Sequence, residues 1–156
     1  MKFTRKGKEV VYIHYGTTSF DPERFEKVKN CRFSIKPSGR GGFWASPINS
    51  ERNWFNWAKI NDFRIYDIDN CFKFKLKNPN KILYINSEEA YNYLTSNYGI
   101  KVNSYCPFFI DFEKMIKDGW DALEASLTDF PELYDLLYTW DCDSILIFNS
   151  DAICEI

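Results

Sequence analysis

Apolar and polar positions alternate in two distinct periods along the chain, and the switches between them divide it into strands and helices. Residues 9–13 alternate and branch as a strand does, ending at His14-Tyr15-Gly16-Thr17-Thr18. Asp21-Pro22-Glu23 carries an N-cap, a proline for the first turn and an early acid, and with Phe25 and Val28 on one face it predicts a helix ending near Asn30. A short extended piece over Arg32–Ile35 and a turn over Lys36–Gly42 follow. Gly41-Gly42 permits close backbone approach before the aromatic strand Phe43-Trp44-Ala45-Ser46, which Pro47 halts. Ser50 is the expected cap of a helix with Trp54, Trp57 and Ala58 as its apolar stripe, and the two tryptophans read as core.

Cys71–Leu76 alternates with its lysines outward, and Asn78-Pro79-Asn80-Lys81 turns toward a second strand at Ile82–Ile85, so the pair reads as a hairpin. Ser87 caps a helix with Ala90, Tyr91 and Leu94 inward, ended by Tyr98-Gly99, and a further helix runs from Asp111 to Lys117 with Gly119 beyond it. Trp120–Leu127 has helical composition, but its place between breakers and its echo of Trp140-Asp141 favour a strand. A short helix spans residues 130–138, and Ser144–Phe148 has the length and content of a buried final strand. The order β-α-β-α-β-β-α-α-β-α-β predicts one α+β domain over 1–156.

Composition narrows the functional classes. The chain is 45% hydrophobic and 19% aromatic, without an apolar run of membrane-spanning length. Its basic start leads into a short strand and lacks a small-residue cleavage site, so it is not read as a signal peptide. Twenty basic against twenty-two acidic residues remove the electrostatic footprint of a duplex-binding protein. Five cysteines at irregular spacing, with one histidine, indicate neither a disulfide framework nor a zinc site and fit a reducing cytoplasm. The lysines of Cys71–Lys77 read as a solvated face.

Three segments at strand ends carry candidate chemistry: His14-Tyr15, Gly42-Phe43-Trp44-Ala45-Ser46, and Asp141/Asp143 ahead of the last strand. Each also has a plain structural reading: His14 as a packing residue, Trp44 as core, Ser46 as a turn residue before Pro47, and either aspartate as a cap. In order and position the three resemble the motifs of the ADP-ribosyltransferase fold, in the His-Tyr-acid branch shared by diphtheria-toxin-like and poly-ADP-ribose polymerase enzymes. About a dozen residues between Val10 and Ile153 carry the resemblance.

The resemblance implies a split, mixed sheet flanked by helices, and NAD as the donor. It places His14 on a ribose hydroxyl, the Gly16 backbone near the nicotinamide amide, and Trp44 or Tyr15 as the stacking platform. Phe43 and Thr17 would lie nearby, with Ser46 steadying the ribose. The acid of the last motif is commonly glutamate; here Asp143 or Asp141 stands in its place, with Glu124 as the next candidate. The chemistry asks for such a set, because breaking the nicotinamide–ribose bond develops positive charge on the sugar and releases a flat, neutral ring.

The expected activity is mono-ADP-ribosyl transfer to a macromolecular acceptor, protein rather than nucleic acid, by a cytoplasmic toxin or defence-inhibiting effector of bacterial or phage type. The alternatives are an NAD glycohydrolase and a degenerate, transferase-like module that docks on a partner.

Overall fold

The computed structural model describes residues 3–6, 9–32, 34–37, 39, 41–63, 67–101 and 108–156. The strands among these residues are β1 (Tyr12–Tyr15), β2 (Phe43–Pro47), β3 (Cys71–Leu76), β4 (Ile82–Ile85), β5 (Gly99–Lys101), β6 (Phe108–Ile110), β7 (Ala122–Ala125), β8 (Ser144–Ile147) and β9 (Ile153–Glu155). The α-helices among the described residues are α1 (Trp54–Ile60), α2 (Glu88–Tyr98), α3 (Phe112–Lys117) and α4 (Leu133–Leu136).

Seven strands form one mixed sheet in the order β4-β7-β8-β2-β1-β3-β9, and β5 and β6 make a separate antiparallel pair. Only β4 and β7 run parallel; the other neighbours in the large sheet are antiparallel. The chain is thus an α+β protein, as the element order predicts. The middle of the sheet is its narrowest join, since β1 meets β2 through Tyr12↔Pro47 and Ile13↔Ser46 alone.

The two faces of the sheet are covered differently. On one, Leu83, Ile85, Leu123, Ala125, Leu146 and Phe148 form the main core with Ala90 and Leu94 of α2, Phe112 and Met115 of α3, and Leu133 of α4. On the other, Tyr12, Ala45, Phe72, Phe74, Ile145 and Ile147 form a second core, closed by Val10, Phe20, Phe43 and Ile153 from strand ends and connections. Strand periodicity therefore sorts neighbouring residues of β1, β2 and β8 to opposite sides of the sheet.

Several expectations are met. Ser87 caps α2 by accepting the Ala90 N–H, the helix expected over Asp111–Lys117 forms as α3 with Asp111 as its cap through the Lys114 N–H, and residues 122–125 are a strand. Others are overturned, each by a tertiary partner. The helix expected over residues 21–30 stops after a 3₁₀ turn at Pro22–Arg24, although Asp21 does cap it. The Glu26 carbonyl instead accepts the Gly42 N–H at 2.8 Å, and Asn30 exchanges hydrogen bonds with Asp111 and Glu113 at the start of α3. Ser50 is not the cap of α1: Asn53 is, accepting the Asn56 N–H at 2.9 Å.

The hairpin expected of residues 71–85 does not form. β3 pairs with β1 and β9, while β4 runs at the opposite edge of the sheet beside β7. Ile82, Leu83 and Ile85 are all buried, so β4 needs cover on both faces; β3 keeps Lys73 in solvent. Residues 3–5 close the outer edge of β4, with the Tyr84 N–H donated to the Phe3 carbonyl at 2.9 Å. The β5–β6 pair and β9 are too short for pattern reading, and β9 follows the strand expected to be last. Phe33 in the proposed extended piece, Ser38 and Arg40 in the following turn, and Cys106 lie outside the described residues. Among the described residues Cys31, Cys71, Cys142 and Cys154 are free thiols, and no helix is long and apolar enough to cross a membrane.

Candidate functional site: an aromatic cleft at the centre of the sheet

Where β1 and β2 part company a cleft of about 280 Å³ opens, lined from β1, β2, the approach to β8, and α1. Its lining includes Ile13 and Tyr15 of β1, Trp44 and Ser46 of β2, Trp54 of α1, Lys36, and residues 139–142 with Ser144. The strand register explains this gathering. Ile13 pairs with Ser46 and Trp44 with Leu146, so alternation carries Ile13, Tyr15, Trp44, Ser46 and Ser144 to the same side of the sheet.

Aromatic rings build the walls. Trp44 meets Trp140 edge-on with centroids 4.8 Å apart, and Tyr15 stacks on Phe55 of α1 at 5.1 Å. Trp54 stacks on Trp57 at 5.1 Å, and Phe63 closes on both from the side. These two tryptophans are half-buried and form a rim, whereas only Ala58 of α1 is a buried core residue. Lys36 places its ammonium 5.6 Å from the Trp44 ring centre, a cation–π distance.

The polar groups of the cleft fall into two sets. Ser46 is fully buried and its hydroxyl accepts the Trp54 N–H at 3.0 Å, holding the first turn of α1 to β2. Ser144 donates to the Cys142 carbonyl at 3.1 Å. Burial, reinforced by the carboxylates of Asp143 and Asp141, pushes the Cys142 thiol up to about 12, so it remains protonated and is no nucleophile. These groups are satisfied internally.

Thr139 and Trp140 are not. The Trp140 indole Nε1–H and the Thr139 hydroxyl are buried with no hydrogen-bond partner among the described residues, an arrangement that costs about 1–3 kcal/mol per group. Thr139 also holds φ at +82°, a region that a β-branched side chain rarely occupies. Asp141, half-buried beside them, is the one carboxylate in the cleft lining among the described residues.

The cleft therefore brings together Tyr15, Trp44, Ser46 and Asp141, with His14 at its border. His14 donates Nδ1–H to the Trp44 carbonyl at 2.6 Å, and its ring lies against Phe43 at 4.2 Å and Phe72 at 5.6 Å. Burial lowers its pKa, keeping the ring neutral with the lone pair on Nε2. The imidazole thus pins the two strands at the point where their pairing ends.

Five expected site residues lie elsewhere. Phe43 faces the second core. Gly16 is outside the lining, and both its backbone groups are engaged by Asn70, at 2.8 Å to the carbonyl and 3.1 Å from the side-chain amide. Thr17 is exposed and donates to the Ser19 carbonyl.

Asp143 and Glu124 belong to a separate polar cavity on the opposite face, lined by Arg5, Ser50, Tyr84 and Thr128 among others. Asp143 is 4% exposed and saturated: it accepts the Leu127 N–H at 2.6 Å, the Thr128 N–H at 3.0 Å, and the hydroxyls of Thr128 and Ser50. Glu124 is 1% exposed, accepts from the Tyr12 hydroxyl at 2.7 Å and pairs with Arg5 at 3.4 Å. Burial raises its pKa to about 7 despite both partners.

Trp140, Thr139, Trp54, Ser144 and Lys36 are cleft residues that sequence reasoning did not single out. One signal was available, the repeated Trp-Asp pair at 120–121 and 140–141. The Trp120 indole donates to the Tyr98 hydroxyl at 2.8 Å, whereas that of Trp140 has no such partner. No family model, curated protein or solved structure matches this chain.

Proposed function

We propose that the chain is an NAD-consuming ADP-ribosyltransferase whose aromatic cleft receives the nicotinamide end of NAD, with Asp141 as the carboxylate beside the scissile bond. One observation carries this reading: three segments far apart in sequence, residues 13–15, 44–46 and 139–142 with Ser144, converge on one small cleft with a single carboxylate among its described lining. The cavity lies just below the ~300–1,000 Å³ usual for ligand pockets, which suits a ring and its ribose better than a whole dinucleotide.

In the proposed reaction the flat ring of NAD lies among Trp44, Tyr15 and Trp54, and the glycosidic C–N bond breaks with its electron pair leaving on nicotinamide. Positive charge then spreads over the ribose carbon and ring oxygen, and Asp141 stabilises it electrostatically. A nucleophile on the acceptor bonds to that carbon and loses its proton to solvent or a base on the acceptor. His14, neutral and pinned at Nδ1, offers only the Nε2 lone pair, which suits accepting a hydrogen bond from a ribose hydroxyl.

A protein acceptor is favoured by the apolar surface near the cleft, where Ile60 at the end of α1, Phe63 beyond it and Tyr138 before Thr139 are exposed. A second reading, a docking module without catalysis, draws on the fact that Asp143 and Glu124 lie on the other face and leave only one short carboxylate. Labelled NAD, incubated with the protein and a cell lysate, separates the readings. Transfer of label to a lysate band, lost in Asp141→Asn, supports the transferase; free ADP-ribose without a labelled band supports a hydrolase; NAD bound but uncleaved, or unbound, rejects the enzyme.

A further inference from the structure

We infer that Thr139 and Trp140 form a subsite that reads a primary carboxamide. The inference rests on the proposed seating of nicotinamide in the cleft and assigns the pair that would recognise its amide. An indole N–H is a donor only, while a hydroxyl both donates and accepts. A carboxamide presents the complementary set: its carbonyl oxygen takes the Trp140 Nε1–H, and its NH₂ donates to the Thr139 hydroxyl.

Three other polar groups in or beside the cleft are already engaged. The Ser46 hydroxyl accepts from Trp54, Ser144 donates to Cys142, and the Gly16 backbone is held by Asn70. Thr139 and Trp140 are the lining residues with buried polar side-chain atoms that have no partner among the described residues. Trp140 is 1% exposed and fixed in place by Trp44 and by its backbone N–H, which is donated to the Leu137 carbonyl at 2.9 Å.

The backbone supplies an independent indication. A threonine at φ +82° is strained where glycine would not be, and such strain persists where the side chain serves a function. The neighbouring Asp141 carboxylate also makes the seat selective, because an anionic oxygen beside it would be repelled. The seat thus favours the amide over the corresponding acid.

The test uses protein labelled with ¹⁵N at tryptophan, whose five indole resonances are followed during addition of nicotinamide, nicotinic acid and NAD. Nicotinamide should move the Trp140 Nε1–H signal downfield, and nicotinic acid should bind about tenfold more weakly. Thr139→Gly should raise Tm by about 2–4 °C through relief of strain and weaken nicotinamide about tenfold, while Thr139→Ser keeps the affinity. If the Trp44 and Trp54 signals respond while that of Trp140 stays still, or if Thr139→Gly binds nicotinamide like the wild type, the subsite is refuted and the proposed seat for NAD stands. If no indole signal responds to nicotinamide or NAD, the proposed NAD reading falls and this inference with it.

Discussion

Asp141 and Asp143 are next-but-one neighbours, yet Asp141 borders the aromatic cleft while Asp143 is buried in the cavity on the opposite face of the sheet. Had β8 begun at Asp141, strand alternation would have put both on one side. It begins at Ser144, and the preceding turn separates them, with the Asp143 N–H donated to the Arg52 carbonyl at 2.8 Å. Their substitutions should therefore fail in different ways. Asp141→Asn should leave Tm within about 2 °C of wild type and cut turnover of NAD by roughly 10²–10³. Asp143→Ala strands the Leu127 and Thr128 N–H groups and should cost roughly 3 kcal/mol or more, lowering Tm by about 6–12 °C. Thermal melts beside an NAD-cleavage assay decide it: a stable, inactive Asp143→Ala protein would return catalysis to that residue.

Local signals were legible in the sequence wherever a neighbouring residue decides the structure. The cap at Ser87, the helix at Asp111–Lys117, the alternation of Cys71–Leu76 and the strand at residues 122–125 all follow from near neighbours. Pairing was not legible, because β4 and β7 are joined across residues 86–121 and nothing local to Ile82–Ile85 names that partner. The site divides along the same line. The motif resemblance names Trp44 and Ser46 as candidates, but which aspartate enters the cleft depends on the turn before β8. The Trp120 N–H meets the Tyr98 hydroxyl while that of Trp140 has no partner among the described residues, a difference set by tertiary neighbours and not by the repeated Trp-Asp pair.

Gly42 holds β2 against the core. Its φ is +79°, and a Cβ there would lie 2.6 Å from Leu146 Cδ1, 2.8 Å from Val28 Cγ2 and 3.0 Å from the Ile147 carbonyl oxygen. Gly42→Ala therefore combines backbone strain with overpacking and should cost about 3 kcal/mol or more. Gly119 supplies the control: its φ is +93°, but a Cβ would meet nothing within 4 Å. Gly119→Ala should cost only about 1 kcal/mol, the conformational part alone. Denaturant melts of the two variants measure the difference, and equal losses would show that close approach at Gly42 contributes nothing.

His14 is the chain's one histidine, so its ring can be followed by NMR without assignment. A carbonyl acceptor at 2.6 Å requires the Nδ1–H tautomer, and burial predicts a titration midpoint below 6.5. Because the folded pKa is depressed, the unfolded chain takes up a proton first as pH falls. Below about 6.5 this group should therefore contribute a progressive loss of stability. An Nε2–H tautomer would contradict the pinning of β1 to the Trp44 carbonyl, and a midpoint above 6.5 would show that this hydrogen bond, which favours the charged ring, outweighs burial.

Glu124 should act on stability in the opposite sense. Its folded pKa is raised from 4.5 to about 7, chiefly by burial, so between those values the folded protein holds a proton that the unfolded chain has released. Stability from this group is full below about 4.5, declines as pH rises toward 7, and levels off above it. The whole decline is on the order of 3 kcal/mol. Glu124→Gln keeps the shape and a hydrogen-bond acceptor for Tyr12 without ionising, so it should flatten that part of the profile. The comparison to make is unfolding free energy at intervals from pH 4.5 to 8 for wild type and variant, because His14 and other groups contribute equally to both curves. A difference between the two that stays constant across this range would mean that Glu124 is already ionised in the folded protein at low pH, held so by Arg5 and Tyr12.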